Sequence, residues 1–578
     1  MPQKKHTRQT SPPSDQDIGC LSEFETAEAS MRLLLESTQE RNPIDTPPSE
    51  PMDADHGNLM GFLQKLLQMD IESEASYRMH EARRVTEQQV VSPDVSPDVL
   101  PDMSPDVLSD MSPDVSPDVL QGSKTVFLQD VADSDNRASF VAYLEFWTEL
   151  NGKPTPQNPI LFILALRGEN LQVPKYDGKT TFPGVKPRCP AEAHCDVADS
   201  LLVAVDAARR IIMWLSVYLD VSLEKAAECI RIYNGGRPKL NPNLAHPIHA
   251  QDCFFDRKDL VPDGLSEDLG VQVSSDEYRS IVDQVNGKIG VAANARYSIA
   301  DEDRQLAFAR QDRARRAIFS AVRQFADAIN VAPENILLPL HTIFSELPEP
   351  SNKNDQRVIY MFALGPLTGL RNLCLLDIDE VLRKRLRGLF GQLFAWKNLS
   401  PEAKNILPNQ FNVDCDTDAV EFVLVEIRTW KKTKVYLVPT EVLKTDEYIA
   451  FLQKLHESLC AQQFDDLTSL QRAWRHWNEI KGGKAQCIFD PAVVFLAKSI
   501  KDAGYAPNGV NSLMDMLPVE IFVPTDDYNY DRPIYCMRET RGSTNIYAAS
   551  RVKPKMFDAF CNMTRDLLLC TSAARMSE

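Results

Sequence analysis

Several common sequence signals are missing from this chain of 578 residues. No apolar run reaches the ~18 residues that a membrane-spanning helix needs, although 43% of the residues are hydrophobic. Residues 1–10 are polar and basic and lack the apolar stretch of a secretory signal peptide. The 12 cysteines are scattered, without any CxxC spacing. These absences predict a soluble intracellular protein, in the cytoplasm or the nucleus, with reduced thiols.

Signatures of common enzyme classes are missing as well. The chain has no phosphate-binding P-loop, no GxGxxG turn after a strand, no HExxH pair and no GxSxG nucleophile turn. The acidic loop at residues 526–531 offers oxygen ligands, but it lacks the ligand order of an EF-hand. These absences favour a protein that binds a partner without catalysis and without a cofactor.

Acidic residues are concentrated at one end of the chain. Residues 1–122 contain nine Lys and Arg against 23 Asp and Glu, a net charge of −14. The other residues contribute only −5 to the total of −19. A polyanionic segment repels nucleic acid and anionic lipid. The sequence therefore predicts an acidic, largely disordered arm over residues 1–122 and a near-neutral body that begins at residue 123.

Seven consecutive tetrapeptides of the SPDV type occupy Ser92–Val119. Six of them contain proline, which removes backbone donors and biases the preceding residue to extended geometry. We expect an extended acidic segment that forms neither a helix nor an interior strand. The Ser-Pro pairs are candidate phosphorylation sites, at Ser92, Ser96, Ser104, Ser112 and Ser116. The alternative is a neutral expansion of a short tandem repeat.

Apolar residues recur at helical spacing on the N-terminal side of the repeat. The sharper of two such stretches contains Leu59, Phe62, Leu63, Leu66 and Leu67. A short amphipathic helix in a polar arm commonly docks its apolar face in a groove. That groove would belong to a partner protein or to the body of the same chain. Alternatively, the stretch simply extends the fold of the body.

Helical patterns dominate the sequence after residue 122. The longest is the largely apolar stretch Asp196–Leu219, and Ser222–Tyr233 follows it. The run Ile160–Leu166 also has helix signals, because Asn158-Pro159 precedes it and Gly168 follows it. Further helices are predicted over residues 301–329, 446–459, 467–480, 491–503 and 554–569.

Strand signals are fewer than helix signals. Val358–Leu364 has the composition of a strand, and Val420–Ile427 with Val435–Val438 is expected to form a hairpin. The sequence therefore predicts a mainly α protein with a minor antiparallel β component. The body is expected to comprise a helical domain over residues 123–296 and an α-rich domain with a small hairpin over residues 297–578.

Cysteine and histidine lie close together in two loops, which gives six candidate metal ligands: Cys189, His194, Cys195, His246, His249 and Cys253. These residue types bind zinc. Their spacings match no standard zinc pattern, and the set is larger than one closed zinc site takes. The alternative is a pair of loops with ordinary histidines and buried thiols.

Two segments are rich in cations, at residues 304–323 and 383–387. If their side chains shared a face they would neutralise phosphates and bind nucleic acid, with the first segment contributing Arg310, Arg313, Arg315 and Arg316. Acidic residues such as Asp312 and Asp327 interleave with this segment. They favour instead a solvated helix face with ion pairs at a spacing of one turn.

The run Leu367–Arg371 resembles the first catalytic box of the tyrosine recombinases. The basic stretch at Lys431 resembles the lysine-bearing hairpin of that family, and Arg538 with Arg541 resembles its second arginine box. The resemblance implies that a DNA phosphate is held by Arg371, Lys431, Arg538 and Arg541. Because no tyrosine follows Tyr547, it implies a degenerate domain that binds DNA without cleaving it.

Three functional hypotheses follow from the sequence. The first is a non-enzymatic intracellular interaction protein whose helical body binds a protein partner, with a phosphorylated arm as regulator. The second is a nucleic-acid-binding protein in which the acidic arm competes for the basic surface. The third is an effector-type protein that acts inside another cell. No sequence feature indicates the oligomeric state.

Overall fold

Strands and helices alternate along most of the chain in the structure, a computed structural model of the protein. It describes residues 53–90, 123–130, 134–166, 197–236, 318–348, 357–396, 410–463, 467–502, 507–523 and 535–569, apart from single positions and short stretches within these ranges. The chain divides into a unit Met1–Asn58 and a unit Leu59–Glu578. The sheet and the sites described below belong to the second unit.

Ten strands build one sheet: β1 Lys124–Gln129, β2 Ile160–Leu164, β3 Ile230–Asn234, β4 Leu338–Pro339, β5 Ile359–Ala363, β6 Leu386–Gly391, β7 Lys434–Leu437, β8 Met514–Phe522, β9 Cys536–Glu539 and β10 Ile546–Val552. Their order is β4-β3-β2-β1-β5-β6-β7-β10-β8-β9. All neighbours from β4 to β10 are parallel. The last two strands, β8 and β9, are joined to the sheet in antiparallel fashion.

The described helices are α1 Asp53–Val90, α2 Ser134–Asn151, α3 Val197–Leu219, α4 Leu223–Glu228, α5 at residues 318–328, α6 Thr368–Leu376, α7 Val381–Arg385, α8 Phe411–Cys415, α9 Thr417–Thr429, α10 Asp446–Cys460, α11 Asp490–Asp502 and α12 Phe557–Leu569. Short 3-10 turns lie at Pro333–Asn335, Leu340–Ser345, Thr440–Val442 and Pro554–Met556. In the described part of the chain, no helix combines the length and apolarity needed to cross a membrane.

The predicted fold class, mainly α with a minor antiparallel β component, is wrong. The protein is an α/β protein with a large, mainly parallel sheet, so the body is not helical. The clearest wrong prediction concerns Ile160–Leu166, which was expected to form a helix. This stretch contains the strand β2, and all five residues of the strand are buried. A central parallel strand is covered on both faces, so its unbroken apolar run resembles that of a buried helix.

The predicted hairpin at Val420–Ile427 is also wrong. This stretch lies in α9, whose first turn is capped by Asp416, since its carboxylate accepts from the Ala419 N–H over 2.9 Å. The partner stretch is β7, which pairs in parallel with β6 and β10. Similarly, Ser222–Tyr233 divides into the short helix α4 and most of the strand β3.

Other predicted elements agree with the structure. The long apolar helix is α3, and the predicted strand Val358–Leu364 contains β5. The predicted boundary between residues 296 and 297 lies outside the described residues. The sheet takes strands from both sides of that boundary, since β1 to β3 precede it and β4 to β10 follow it.

Aromatic side chains form a row across the centre of the sheet, on neighbouring residues of five parallel strands: Phe162, Phe127, Phe362, Phe390 and Tyr436. Successive ring centroids are 5.5, 6.0, 5.4 and 5.0 Å apart. These rings face α2 and α3 in one apolar core. The alternate side chains Val126 and Leu128 belong to a second core, which α6 and α9 cover. The architecture is therefore three layers, with helices on both faces.

Helix α1 runs past the β4 edge of the sheet and reaches both cores. Phe62 is buried in the first core, where its ring lies 5.2 Å from that of Phe319 on α5. Tyr77, about four turns further on, is buried in the second core. Between them, Lys65 pairs with Glu334, just before β4, over 2.5 Å.

Candidate functional site at the carboxyl edge of the sheet

The sheet has a topological switch point beside β1. From β1 the chain proceeds outward through β2, β3 and β4 on one side, and β5 then lies on the other side of β1. The carboxyl ends of β1 and β5 therefore diverge into loops that leave in opposite directions. In open α/β sheets, ligands bind in the crevice outside the carboxyl ends of the strands at such a point.

A buried group of polar side chains lies at this point, and we call it the edge cluster: Gln129, Asp130, Asn136, Ser139 and Asp490. Each of the five residues is at most 4% exposed. Gln129 and Asp130 end β1, Asn136 and Ser139 lie in the first turns of α2, and Asp490 begins α11. Buried polar groups at this density require mutual hydrogen bonds.

Side-chain amides connect the carboxylates of the edge cluster. Asn136 Nδ2 donates to Asp130 Oδ1 over 3.0 Å and to Asp490 Oδ2 over 3.1 Å. Gln129 Nε2 donates to the same Asp490 oxygen over 3.2 Å and also to Ser139 Oγ. The Ser139 hydroxyl in turn donates to the Asn136 carbonyl over 2.8 Å. The cluster therefore joins β1, α2 and α11 into one network.

Asp135 holds the start of α11 against the start of α2. Its carboxylate accepts from the backbone N–H groups of Phe489 and Asp490 over 3.1 to 3.4 Å. These N–H groups lack partners within α11, because they precede or begin the helix. The Asp490 side chain thereby keeps its position at the edge cluster, although the two helices are far apart in sequence.

The neighbouring strand ends carry a second set of amides. Asn412 Nδ2 donates to the carbonyls of Leu364 and Gln392, which follow β5 and β6, over 3.3 Å each. Gln410 Oε1 accepts from the Asn412 N–H over 2.8 Å and so caps α8. Gln410 Nε2 donates to Gln392 Oε1 over 3.1 Å. Amide side chains therefore continue along the edge away from β1.

Gly365 allows the chain after β5 to pass close to the edge cluster. A Cβ atom at this position would lie 2.8 Å from the backbone nitrogen of Asp130 and 2.9 Å from the Ala165 Cβ. Both distances are too short for a carbon contact, and one neighbour is backbone that cannot rotate away. Any side chain here would push the end of β5 from the end of β1.

The edge cluster has a definite chemical character. Its carboxylates accept hydrogen bonds, and its amides both donate and accept them, but side-chain amides neither take up nor release protons near neutral pH. A ligand hydroxyl matches the cluster as a donor to the carboxylates, since both N–H groups of each amide are already donated within the cluster. A phosphate does not, because the two carboxylates of the cluster would repel it.

The structure does not bring the predicted nucleic-acid residues together. Arg371 is buried on α6 and pairs with Glu81 of α1. Arg538 lies on β9 at the far side of the sheet, pairs with Glu520 and contacts the Phe522 ring. Arg541 is exposed beyond β9. The remaining candidates lie outside the described residues: Arg310, Arg313, Arg315, Arg316 and Lys431.

The predicted docking residues pack inside the chain itself. The residues buried in the first core are Leu59, Phe62, Leu63 and Leu66. Leu67 is partly buried against the same core. The apolar face of α1 thus has an intramolecular partner.

The other predicted site residues lie outside the described residues. They are the repeat serines Ser92, Ser96, Ser104, Ser112 and Ser116, and the metal candidates Cys189, His194, Cys195, His246, His249 and Cys253. Within the part of the chain that is described, no group of three or more His, Cys, Asp or Glu side chains is arranged to hold a metal ion.

Sequence reasoning missed the edge cluster, although two signals were present. Gln129 and Asp130 end an apolar run, and Asp135 and Asn136 follow within six residues of Asp130, in the first turn of α2. Polar residues in this order are typical of the turn between a buried strand and a helix. Asp490 directly precedes the predicted helix 491–503 and begins α11 in the structure, and its carboxylate belongs to the edge cluster.

The chain matches no known protein family and no curated protein by sequence. By structure it is similar to an inosine-guanosine nucleoside hydrolase, at 13% identity and a TM-score of 0.38 over 77% of this chain and 99% of that one. The inosine-uridine preferring nucleoside hydrolase of Bacillus anthracis gives 11% and 0.36 over 77% and 99%. The type III effector protein XopQ, complexed with adenosine diphosphate ribose, gives 9% and 0.35 over 78% and 95%. Likenesses this distant assign neither a family nor an activity.

Proposed function

We propose that this protein binds an uncharged, hydroxyl-rich small molecule at the edge cluster and acts through binding rather than turnover. The observation that carries the proposal is the network in which Asn136 Nδ2 donates to both Asp130 and Asp490 at the switch point of the sheet. The ligand would contact the polar groups at the carboxyl ends of β1 and β5. Pentoses, hexoses and nucleosides belong to this chemical class.

The chemistry of the described side chains supports binding over catalysis. The amides of Gln129 and Asn136 orient the carboxylates of the edge cluster but cannot exchange protons. Burial raises the pKa of several described thiols, which keeps them protonated and poorly nucleophilic: Cys229, Cys374, Cys487 and Cys561. The hypothesis of a non-enzymatic binding protein stays a proposal, with the sheet edge as its site.

Calorimetric titration of the full chain tests the ligand class. A nucleoside and its 5′-phosphate share the sugar hydroxyls and differ in charge, so we expect the nucleoside to bind about tenfold more tightly. Free pentoses and hexoses extend the series. Tighter binding of the phosphate, or no binding of any neutral member, would contradict the proposal. Recovery of chemically unchanged ligand after long incubation tests the absence of turnover.

Conservative variants test the location of the site. Asp130→Asn and Asp490→Asn each remove one charge at nearly constant volume, and we expect about tenfold weaker binding of the neutral ligand. Asp515→Asn on β8 is the matched control, since Asp515 pairs with Arg551 far from the edge cluster. Circular dichroism establishes that each variant is folded. Unchanged affinity in both cluster variants would place the ligand elsewhere.

The nucleic-acid hypothesis finds less support in the geometry. Arg371 and Arg538 lie in different parts of the sheet and each has a carboxylate partner. A cation that is already paired contributes less to phosphate binding, because the partner must be displaced. The effector-type hypothesis concerns the place of action rather than the site. Delivery of the tagged full chain into a second cell would test it.

A further inference from the structure

A cavity of about 810 Å³ lies between α1 and the body, and it shares no residue with the edge cluster. One wall is a stripe of α1 side chains, and the opposite wall is the segment from Pro339 to Pro348. The junction of α6 and α7 forms the third side, with Leu376, Asp377, Asp379 and Val381. A volume of this size is typical of small-molecule sites.

Helix geometry explains why α1 presents one continuous wall. The lining residues of α1 follow Met69 at a spacing that keeps them on one face of the helix, at Glu72, Ser73, Ser76 and His80. The helix is fixed on both sides of the cavity. Lys65 pairs with Glu334 before it, and Arg84 pairs with Glu426 over 2.8 Å after it.

The carboxylates that line the cavity are not balanced by any lysine or arginine in the lining. These carboxylates belong to Glu72, Asp377 and Asp379. Both oxygens of Asp377 are engaged, since they accept from the backbone N–H groups of Val381 and Leu382 over 2.6 and 2.8 Å. Glu72 Oε1 accepts from Gln68 Nε2 over 2.8 Å, which leaves the other oxygen of Glu72. The carboxylates with an oxygen left for a ligand are therefore those of Glu72 on α1 and Asp379 on the third side.

Apolar groups complete the cavity. Met69 contributes from α1, Phe344 and Leu347 from the opposite wall, and Leu376 and Val381 from the third side. The imidazoles of His80 and His341 also line it, and neither makes a hydrogen bond to another described side chain. A ligand that fits has an apolar body and a cationic head.

We propose that this cavity binds a small organic amine whose ammonium group lies between Glu72 and Asp379 and whose apolar stem contacts Phe344 and Leu347. An anion would meet carboxylates on two walls. A metal ion is a poor match, because the described residues offer no group of three metal-ligating side chains. Since α1 forms a wall, binding and the docking of α1 stabilise each other.

Three aromatic probes of similar shape test the charge requirement on the full chain. We expect 2-phenylethylamine to bind, 2-phenylethanol to bind about tenfold more weakly, and 3-phenylpropionate not to bind in calorimetric titration. Equal affinity for the amine and the alcohol would overturn the proposal. None of these probes is rich in hydroxyl groups, since only 2-phenylethanol carries one, so their outcome is distinct from that of the sugar and nucleoside series at the edge cluster.

Variants of exposed residues test the location without risk to the core. Glu72 and Asp379 are exposed, and we expect the double variant Glu72→Gln, Asp379→Asn to bind the amine about tenfold more weakly. The matched control Glu447→Gln removes an exposed carboxylate on α10 and is expected to leave the affinity unchanged. Equal effects of the double variant and the control would mean only non-specific attraction to an acidic protein, and would overturn the proposal.

The coupling to α1 has its own test. Arg84 does not line the cavity but anchors α1 through Glu426 and the Cys374 carbonyl. We expect Arg84→Ala to weaken amine binding several-fold, because part of the binding free energy is then spent on ordering α1. An unchanged affinity in Arg84→Ala would contradict the participation of α1 in the site.

Discussion

Arg371 on α6 donates a hydrogen bond from Nη2 to Glu81 Oε1 on α1 over 2.7 Å, across a separation of 290 residues. The Arg371 side chain is 7% exposed and that of Glu81 is 36% exposed. The Arg371 guanidinium also lies 5.7 Å from the centroid of the Phe422 ring. This arginine, predicted to hold a DNA phosphate, instead joins the second half of α1 to the body.

Removal of the Glu81 charge should destabilise the protein measurably. Glu81→Gln leaves a largely buried guanidinium without its carboxylate, and we expect a loss of about 1–3 kcal/mol in the free energy of unfolding in urea. The control Arg78→Ala removes a pair with Glu74 in which both side chains are 41% exposed. It should cost no more than about 0.5 kcal/mol. If both variants lost the same free energy of unfolding, the pair of Arg371 with Glu81 would contribute no more than an exposed ion pair.

Phe62 should be essential for the stability of the whole fold. Its side chain is buried in the first core against Phe319, so Phe62→Ala should cost about 3–5 kcal/mol in chemical denaturation. Met79, on the same helix and 63% exposed, provides the control, and Met79→Ala should have little effect. If Phe62→Ala leaves stability unchanged, α1 docks on a partner rather than on its own chain.

Two glycine substitutions should change the stability of the protein in opposite directions. Gly365→Ala places a Cβ 2.8 Å from the Asp130 nitrogen and should cost about 1–3 kcal/mol. Gly61 lies inside α1, and a Cβ added there would have no atom within 4 Å, so Gly61→Ala should stabilise by about 0.5–1 kcal/mol. Thermal and urea denaturation measure both. A neutral Gly365→Ala would show that the ends of β1 and β5 are less closely apposed.

Asp377 should give the protein a stability that declines with rising pH. Burial raises the pKa of its carboxyl from 3.8 to about 6, against the opposing effect of the hydrogen bonds from Leu382 and Val381. The folded protein therefore holds this proton more tightly than the unfolded chain. The resulting stabilisation is complete below about pH 4 and is lost as the pH rises through about 6, a change of about 3 kcal/mol.

The variant Asp377→Asn isolates this effect, because an amide does not titrate in this range. The difference in unfolding free energy between the native protein and the variant should fall from about pH 4 to about pH 7. A difference that grows with pH would mean that the backbone hydrogen bonds to Asp377 outweigh its burial.

Cys460 should react early among the described thiols. It is exposed at the end of α10, and its Sγ lies 3.6 Å from Nε2 of His456. Burial instead raises the pKa of the Cys561 thiol to about 11. With an aromatic disulfide reagent, Cys460→Ser should remove one thiol from the fast phase, whereas Cys561→Ala should leave that phase unchanged. If the fast phase of Cys460→Ser still contains as many thiols as that of the native protein, the prediction is wrong.

Long amphipathic helices could be predicted from the sequence, but of the fully buried strands β5 was predicted and β2 was not. The spacing of Tyr448, Leu452, Leu455 and Leu459 defines α10 without ambiguity. In β2 every residue is buried, so periodicity carries no information and the flanking Pro and Gly favoured a helix. In α9 the helical spacing of Val420, Val423 and Ile427 was present, but β-branched residues favoured a strand.

The site was harder to predict than the fold, because its residues meet only through the sheet. Asn136 and Asp490 are 354 residues apart, and neither belongs to a recognisable motif. The parallel order of the strands decides which chain ends converge, and that order depends on long-range pairing between β1 and β5. A sequence read segment by segment does not contain this information.

The burial of α1 side chains affects how the protein can be produced in isolation. Helix α1 lies within the predicted acidic arm and contributes side chains to both cores. A recombinant fragment that begins at residue 123 would expose the apolar surface around Phe319, against which Phe62 packs. Exposed apolar surface of this kind promotes aggregation. An expression fragment suitable for biochemistry has to begin upstream of Leu59.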